Sequence, residues 1–165
     1  MSNDSPIPTV PEQERQMILA QTIATVAHRG QTDKANVPYL HHPKRVASLV
    51  QAHGGTMFQV AAAWLHDVIE DTEFTYQDLT DMGVHPNIIE MVHLLTRTED
   101  ISKEIYYARI KDSRALIVKA CDILDNSDLQ RLRYLDADTV GRLVEKYASA
   151  LTALGLSGPS IDWKF

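Results

Sequence analysis

Residues 60–71 read Val-Ala-Ala-Ala-Trp-Leu-His-Asp-Val-Ile-Glu-Asp, and this stretch decides how the rest of the chain is read. From Val60 to Leu65 it is apolar with no turn signal, the pattern of a helix buried on all sides. His66, Asp67, Glu70 and Asp71 then follow within a few positions. At about 100° per residue, His66 and Glu70 share nearly one meridian and Asp67 and Asp71 lie one step round, so all four fall on an arc of roughly 140°. Burying ionised groups without partners costs several kcal/mol each. A cation is the least costly way to hold that many carboxylates beside a core. The plain alternative is an exposed acidic helix end finishing at Asp71-Thr72, and the hexapeptide alone does not choose between the two.

Working outward, start and stop signals are helical almost throughout. A first helix covers 11–28, with Met17, Ile18, Ile23, Ala24 and Ala27 as its buried stripe, and a polar loop follows over 30–39. Pro43 suits a first-turn position, which makes His42 the cap of a second helix closed by Gly54-Gly55. Thr56 caps the third helix, which runs through Glu70. Thr75 with Asp78 resembles a capping box opening a short helix that Gly83 ends. Pro86 opens a fifth helix and Ser102 a sixth. The segment 115–124 (ALIVKACDIL) is as apolar as the third helix, and a last amphipathic helix covers about 138–154. Nothing alternates for long enough to make a sheet. The fold class is therefore all-α, a single helical bundle of about eight helices with the third and seventh at its centre. The divisions are a flexible N-terminus over 1–10, the domain over 11–155 and a tail over 156–165. Trp163 and Phe165 of that tail either fold onto the globule or form a contact site.

Composition narrows the function classes. The chain has 165 residues, enough for one domain with a real core. A net charge of -6 argues against a nucleic-acid binder, which needs a basic face to release counterions. The single Cys121 excludes an internal disulfide and fits a reducing compartment. No apolar run approaches bilayer length, and the polar, Pro-broken start MSNDSPIPTV is neither a signal peptide nor an anchor. The expectation is a cytoplasmic protein with no membrane or nucleic-acid partner; the sequence leaves its oligomeric state open.

The seventh helix carries its own polar insertion, Asp122, Asp125 and Asn126, with Asp122 and Asn126 one turn apart. A carboxylate inside ALIVKACDIL needs something positive facing it, either a Lys or Arg or a metal shared with His66-Asp67. His42 is the natural further ligand, His41 reads as a solvent-facing neighbour, and His28 lies close to the loop that leads into His42. Two imidazoles and two carboxylates do not select strongly among Mn, Fe, Co, Ni and Zn. The lack of thiolates argues against a closed structural zinc site. A bound cation lowers the pKa of water toward neutrality. Glu70 and Asp71 are placed to orient that water and to move a proton to a leaving oxygen. The constellation suits hydrolysis of a phosphate ester or anhydride.

The order His42…His66-Asp67…Asp122 resembles the HD superfamily of metal-dependent phosphohydrolases. The closer resemblance is to RelA/SpoT-type hydrolase domains and stand-alone small alarmone hydrolases. It rests on 27–31 (AHRGQ), 38–43 (PYLHHP), 65–72 (LHDVIEDT) and 118–126 (VKACDILDN), and extends from about residue 15 to the last helix. The resemblance implies a Mn²⁺-dependent enzyme that removes pyrophosphate from the 3′ position of guanosine 3′,5′-bis(diphosphate)-type nucleotides. It implies His42, His66, Asp67 and Asp122 as metal ligands, Glu70 and Asp71 as the catalytic acid pair, and Asn126 as a nucleoside contact. No synthetase domain fits in 165 residues, so the expectation is a hydrolase only. The chain departs from the larger relatives at Asp33, where they place an Arg associated with the guanine base. An acidic side chain does not stack as a guanidinium does, so guanine, adenine and other 3′-phosphorylated nucleotides all remain open, with Lys34 beside it. Further substrate candidates are His28, Lys103, Tyr107 and Arg109, with Arg97, Lys111 and Lys119 as nearby cations. Two alternatives stand beside this reading: the same metal chemistry on a nucleoside monophosphate or phosphorylated dinucleotide, and a nucleotide-binding regulator without turnover.

Overall fold

The computed structural model describes residues 10–33, 36–128, 132–133 and 135–156. Among these the chain is helical, and the sole β feature is an isolated bridge between Thr32 and Pro38. The helices are α1 (Glu12–Ala27), α2 (His41–Ala52), α3 (Met57–Leu65), α4 (Val68–Asp71), α5 (Tyr76–Asp81), α6 (Pro86–Leu95), α7 (Lys103–Lys111), α8 (Leu116–Asn126) and α9 (Ala137–Ala153). Lys34 and residues 157–165, with Trp163 and Phe165, lie outside the described residues, as do residues 1–9 of the expected flexible start.

Capping follows the sequence signals. Thr56 and Asp78 take part in two capping boxes, Thr56 with Gln59 and Thr75 with Asp78. Ser102 caps α7 by accepting the Ile105 N–H. Gly54 takes φ of 80° after α2, the left-handed stop that glycine adopts at least cost. Its neighbour Gly55 is needed for space: a Cβ there would lie 2.4 Å from Val50 Cγ1 and 2.8 Å from the Val50 carbonyl. That close approach lets α3 turn back onto α2.

From Val60 to Leu65, α3 is buried at every position. It packs against α1, α2, α6 and α8, while α8 packs against α2, α3, α7 and α9. The expected central pair is therefore α3 and α8, and α2 lies against both.

Three expectations are corrected. Of the expected stripe on α1, Ile23 and Ala24 are buried and Met17 and Ala27 pack partly buried against the core, but Ile18 is 53% exposed, and Gln16 and Ala20 complete the buried face. Gln16 is buried because it is fully bonded, donating to the Gly83 carbonyl and accepting the His85 N–H. This clamp ties α1 to the α5–α6 turn and rotates the stripe away from Ile18. Second, the third helix does not run to Glu70. It stops at Leu65, where the Ala63 carbonyl accepts the His66 Nδ1–H at 2.7 Å and Asp67 leaves helical angles at φ -104°, ψ -4°. A new turn, α4, begins at Val68, so the arc drawn from a continuous helix does not apply beyond Leu65. Third, His42 does not cap α2 but sits inside its first turn, behind the N-cap Leu40. Pro43 fits at the next position because first-turn N–H groups have no partner in the helix ladder.

Candidate metal centre

Three elements converge: the first turn of α2, the break between α3 and α4, and the middle of α8. His42 Nε2 lies 3.2 Å from His66 Nε2, 3.2 Å from Asp122 Oδ1 and 3.5 Å from Asp67 Oδ2. His66 Nε2 lies 3.0 Å from Asp67 Oδ2 and 3.8 Å from Asp122 Oδ1. His42, His66 and Asp122 are buried, and their donor atoms lie within the span of one ion's coordination shell. The helix break is what turns Asp67 toward the imidazoles while leaving Glu70 outward.

The proton arrangement tests whether these residues fit a cation. A carbonyl oxygen only accepts, so His66 Nδ1 carries the hydrogen it gives to Ala63. A carboxylate only accepts, so His42 Nδ1 carries the hydrogen it gives to Asp125 at 2.7 Å. Both neutral rings then present Nε2 lone pairs to each other and to two carboxylate oxygens. Electron-rich atoms gathered this closely repel unless a positive charge lies among them. Protons are one such charge: burial pulls both imidazoles down, but the carboxylates outweigh it. Hydrogen bonds to Asp122, Asp125 and Asp67 push His42 up to about 11, and the charge of Asp67 with help from Asp122 pushes His66 up to about 9. The field that holds a proton so firmly suits a divalent metal, which imidazole and carboxylate donors can bind.

Neighbouring groups brace the donors. The Tyr39 hydroxyl donates to Asp67 Oδ2 at 2.6 Å. Lys119 Nζ donates to Asp122 Oδ2 at 2.9 Å and lies 5.5 Å from the Tyr106 ring centre. Against the burial of Asp122, the Lys119 charge and the two imidazoles hold its carboxyl well below the usual range. Asn126 Nδ2, of the expected nucleoside contact, donates to Asp122 Oδ1 at 2.6 Å and so helps orient that carboxylate. Cys121 is buried, and desolvation pushes its thiol up to about 12, which leaves it inert as a nucleophile.

Glu70 and Asp71 lie on α4 beside the donors. Glu70 is exposed and its Oε2 accepts the Arg97 N–H at 3.0 Å. Burial and the charge of Asp67 raise the Asp71 carboxyl above its ordinary range. Its carbonyl accepts from Gln31 Nε2, and Gln31 Oε1 accepts from His28 Nδ1 at 2.8 Å. His28 is buried, with its Nε2 lacking a hydrogen-bond partner among the described residues. It also lines a cleft of about 330 Å³ with Thr25, Gln31 and Leu40.

The other expected substrate residues are less gathered. Asp33 accepts the Val37 N–H at 3.0 Å, and its own N–H reaches the Val37 carbonyl, so it shapes the loop turn. Lys103 and Arg109 are exposed on α7, and Tyr107 stacks edge-on with Tyr106. Sequence reading left Tyr39, Arg45 and Asp125 without roles. Arg45 Nε and Nη2 donate to Asp125 Oδ1 and Oδ2 at 2.6 and 3.0 Å. The available signal was a second carboxylate, Asp125, on the otherwise apolar α8, with Arg45 three residues beyond His42.

A family model described as HD domain matches residues 20–148. A GTP pyrophosphokinase of Streptomyces coelicolor is 30% identical over 163 residues, covering 91% of this chain and 19% of that protein. A probable guanosine-3′,5′-bis(diphosphate) 3′-pyrophosphohydrolase of Synechocystis is 31% identical over 121 residues, 67% of this chain and 15% of that protein. The bifunctional (p)ppGpp synthase/hydrolase SpoT of Escherichia coli is 28% identical over 127 residues, 70% of this chain and 18% of its own. The chain thus spans less than a fifth of the length of these curated relatives. Among solved structures, a metazoan orthologue of SpoT described as hydrolysing ppGpp superposes with a TM-score of 0.73. It has 20% identity and covers 96% of this chain and 93% of that one. At that identity the match speaks for the fold.

Proposed function

The chain belongs to the HD domain family, and we propose that it hydrolyses the 3′-pyrophosphate of guanosine 3′,5′-bis(diphosphate)-like nucleotides, in the guanosine or the adenosine form. The observation that carries the proposal is the convergence of His42, His66, Asp67 and Asp122, with the acid pair Glu70 and Asp71 on the helical turn that directly follows Asp67. Those four residues would hold the divalent ion, with Mn²⁺ as our choice by resemblance to the alarmone hydrolases. When bound, the ion supplies Lewis acidity and a lower pKa for water.

The protein's own groups do the rest. Glu70, exposed and held by the Arg97 N–H, accepts the proton of the attacking water. Asp71, raised by burial and by the Asp67 charge, is suited to donate a proton to the leaving 3′ oxygen. The P–O bond to the ribose breaks, and a 3′-hydroxyl and pyrophosphate leave. Asn126, His28, Asp33, Lys34, Lys103, Tyr107 and Arg109 are the candidate substrate contacts. Asp33 is occupied in its loop turn, an observation that favours loose selection of the base. The test is release of pyrophosphate from ppGpp, ppApp and nucleoside monophosphates, with Mn²⁺ and with EDTA. Turnover of the first two that EDTA abolishes supports the proposal. Cleavage of monophosphates alone shifts the substrate to the second enzymatic reading, and no turnover at all refutes it.

A further inference from the structure

Asp125 and Arg45 lie one shell outside the four donors. The Asp125 carboxylate is buried, with 4% of its side chain exposed, while Arg45 keeps 40%. One oxygen, Oδ2, takes two hydrogens, from His42 Nδ1 at 2.7 Å and from Arg45 Nη2 at 3.0 Å, and Oδ1 takes the Arg45 Nε–H at 2.6 Å. A buried charge is retained at such a place only with good pairing, and the planar guanidinium fork supplies that pairing in one fixed orientation. Buried ion pairs can often be replaced by apolar residues without loss of stability, so packing alone does not account for this one. What the arrangement does achieve is a fixed ring angle and a fixed tautomer at His42, with the lone pair at Nε2, the atom that faces His66 and Asp122.

We propose that Asp125, clamped by Arg45, is a positioning residue that holds His42 in its metal-binding tautomer and sets the affinity of the centre. The idea rests on the reading that His42 is a metal ligand. Outer partners of ligating histidines typically contribute 10–100-fold in metal affinity. The chemistry of Asp125→Asn sharpens the argument. If the amide oxygen replaces Oδ1, its NH₂ group faces the Arg45 Nη2 donor and directs a hydrogen at His42 Nδ1. That forces the His42 proton onto Nε2 and removes the ligand lone pair. If the amide is flipped, its NH₂ group opposes Arg45 Nε–H. Either orientation sets a donor against a donor. Removing Arg45 relieves that conflict, because the amide oxygen is then free to accept from His42.

The experiment is calorimetric titration of Mn²⁺ into the metal-free full chain and its variants, with Co²⁺ absorption spectra of the same proteins as a second readout. Asp125→Asn is expected to lose about 10–100-fold in affinity and to alter the Co²⁺ spectrum. Arg45→Gln should lose less. The double variant Arg45→Gln/Asp125→Asn should recover part of the affinity lost by Asp125→Asn alone; a merely structural ion pair would couple the two sites in stability but leave metal affinity unmoved. Circular dichroism in EDTA confirms that each variant is folded, and Arg45→Gln, at a half-exposed position, keeps the test alive if Asp125→Asn does not fold. Wild-type affinity and an unchanged spectrum in Asp125→Asn would overturn the proposal while leaving the metal centre standing. A wild-type chain that binds neither ion would overturn the metal centre and this proposal together.

Discussion

Replacing Lys119 by Met removes the ammonium that donates to Asp122 Oδ2 at 2.9 Å and retains an unbranched stem beside Tyr106. Asp122 and Lys119 have side chains only 10% and 19% exposed, so solvent screens the pair weakly. Breaking a buried pair by removing one partner costs about 3–5 kcal/mol. Asn126 and His42 still face Asp122 Oδ1 in the variant, which puts the cost at the low end, about 3 kcal/mol. At roughly 2–4 °C per kcal/mol for a chain of this size, the melting temperature in EDTA should fall by about 6–12 °C. A divalent ion supplies the missing positive charge and binds only the folded site, so saturating Mn²⁺ should narrow the gap by roughly half or more. Thermal unfolding followed by circular dichroism, with EDTA and with Mn²⁺, measures both quantities. A variant within about 2 °C of wild type in EDTA, or a gap that the metal leaves unchanged, refutes Lys119 as the counter-ion of Asp122.

Asp67→Ala should lose bound metal and turnover together, while Glu70→Gln should keep its metal by elemental analysis and lose turnover by about 100-fold or more; a metal-free Glu70→Gln would contradict the division of roles. Gly55→Ala forces a Cβ to within 2.8 Å of the Val50 carbonyl, so denaturant unfolding should show a loss of about 1–3 kcal/mol. In EDTA, stability should fall as pH rises. His42 and His66 are raised to about 11 and about 9, above their ordinary 6.5. Their contribution is therefore complete below about pH 6.5 and is lost as pH climbs through 9 and then 11. A melting temperature that is flat between about pH 7 and about pH 10 without metal would count against the proton-held site.

Much of the helical layout could be read from local chemistry. Thr56, Thr75 and Ser102 each cap a helix start by hydrogen bonds to atoms within a few residues, and Pro86 fits the first turn of α6 behind the His85 cap, whose ring accepts the Asn87 N–H, so neighbours in sequence suffice. Ile18 could not be placed this way, because its exposure follows from Gln16 reaching Gly83 and His85, 67 and 69 residues away. The break after Leu65 was hidden for a related reason: the apolar period continues through Val68 and Ile69, and nothing in it signals that His66 will take the Ala63 carbonyl.

By itself, then, the sequence determined which donor types are present, their order along the chain and the two apolar helices that carry most of them, since periodicity and capping are short-range properties. The tertiary structure alone decided how those donors meet. His42 and Asp125 are 83 residues apart and Arg45 and Asp125 are 80 apart, so neither spacing nor propensity links them. Their pairing arises because α2 and α8 pack against each other and because a buried carboxylate is stable only where donors surround it. That long-range requirement fixes the His42 tautomer, and it converts a motif of His and Asp residues into a site able to hold a cation.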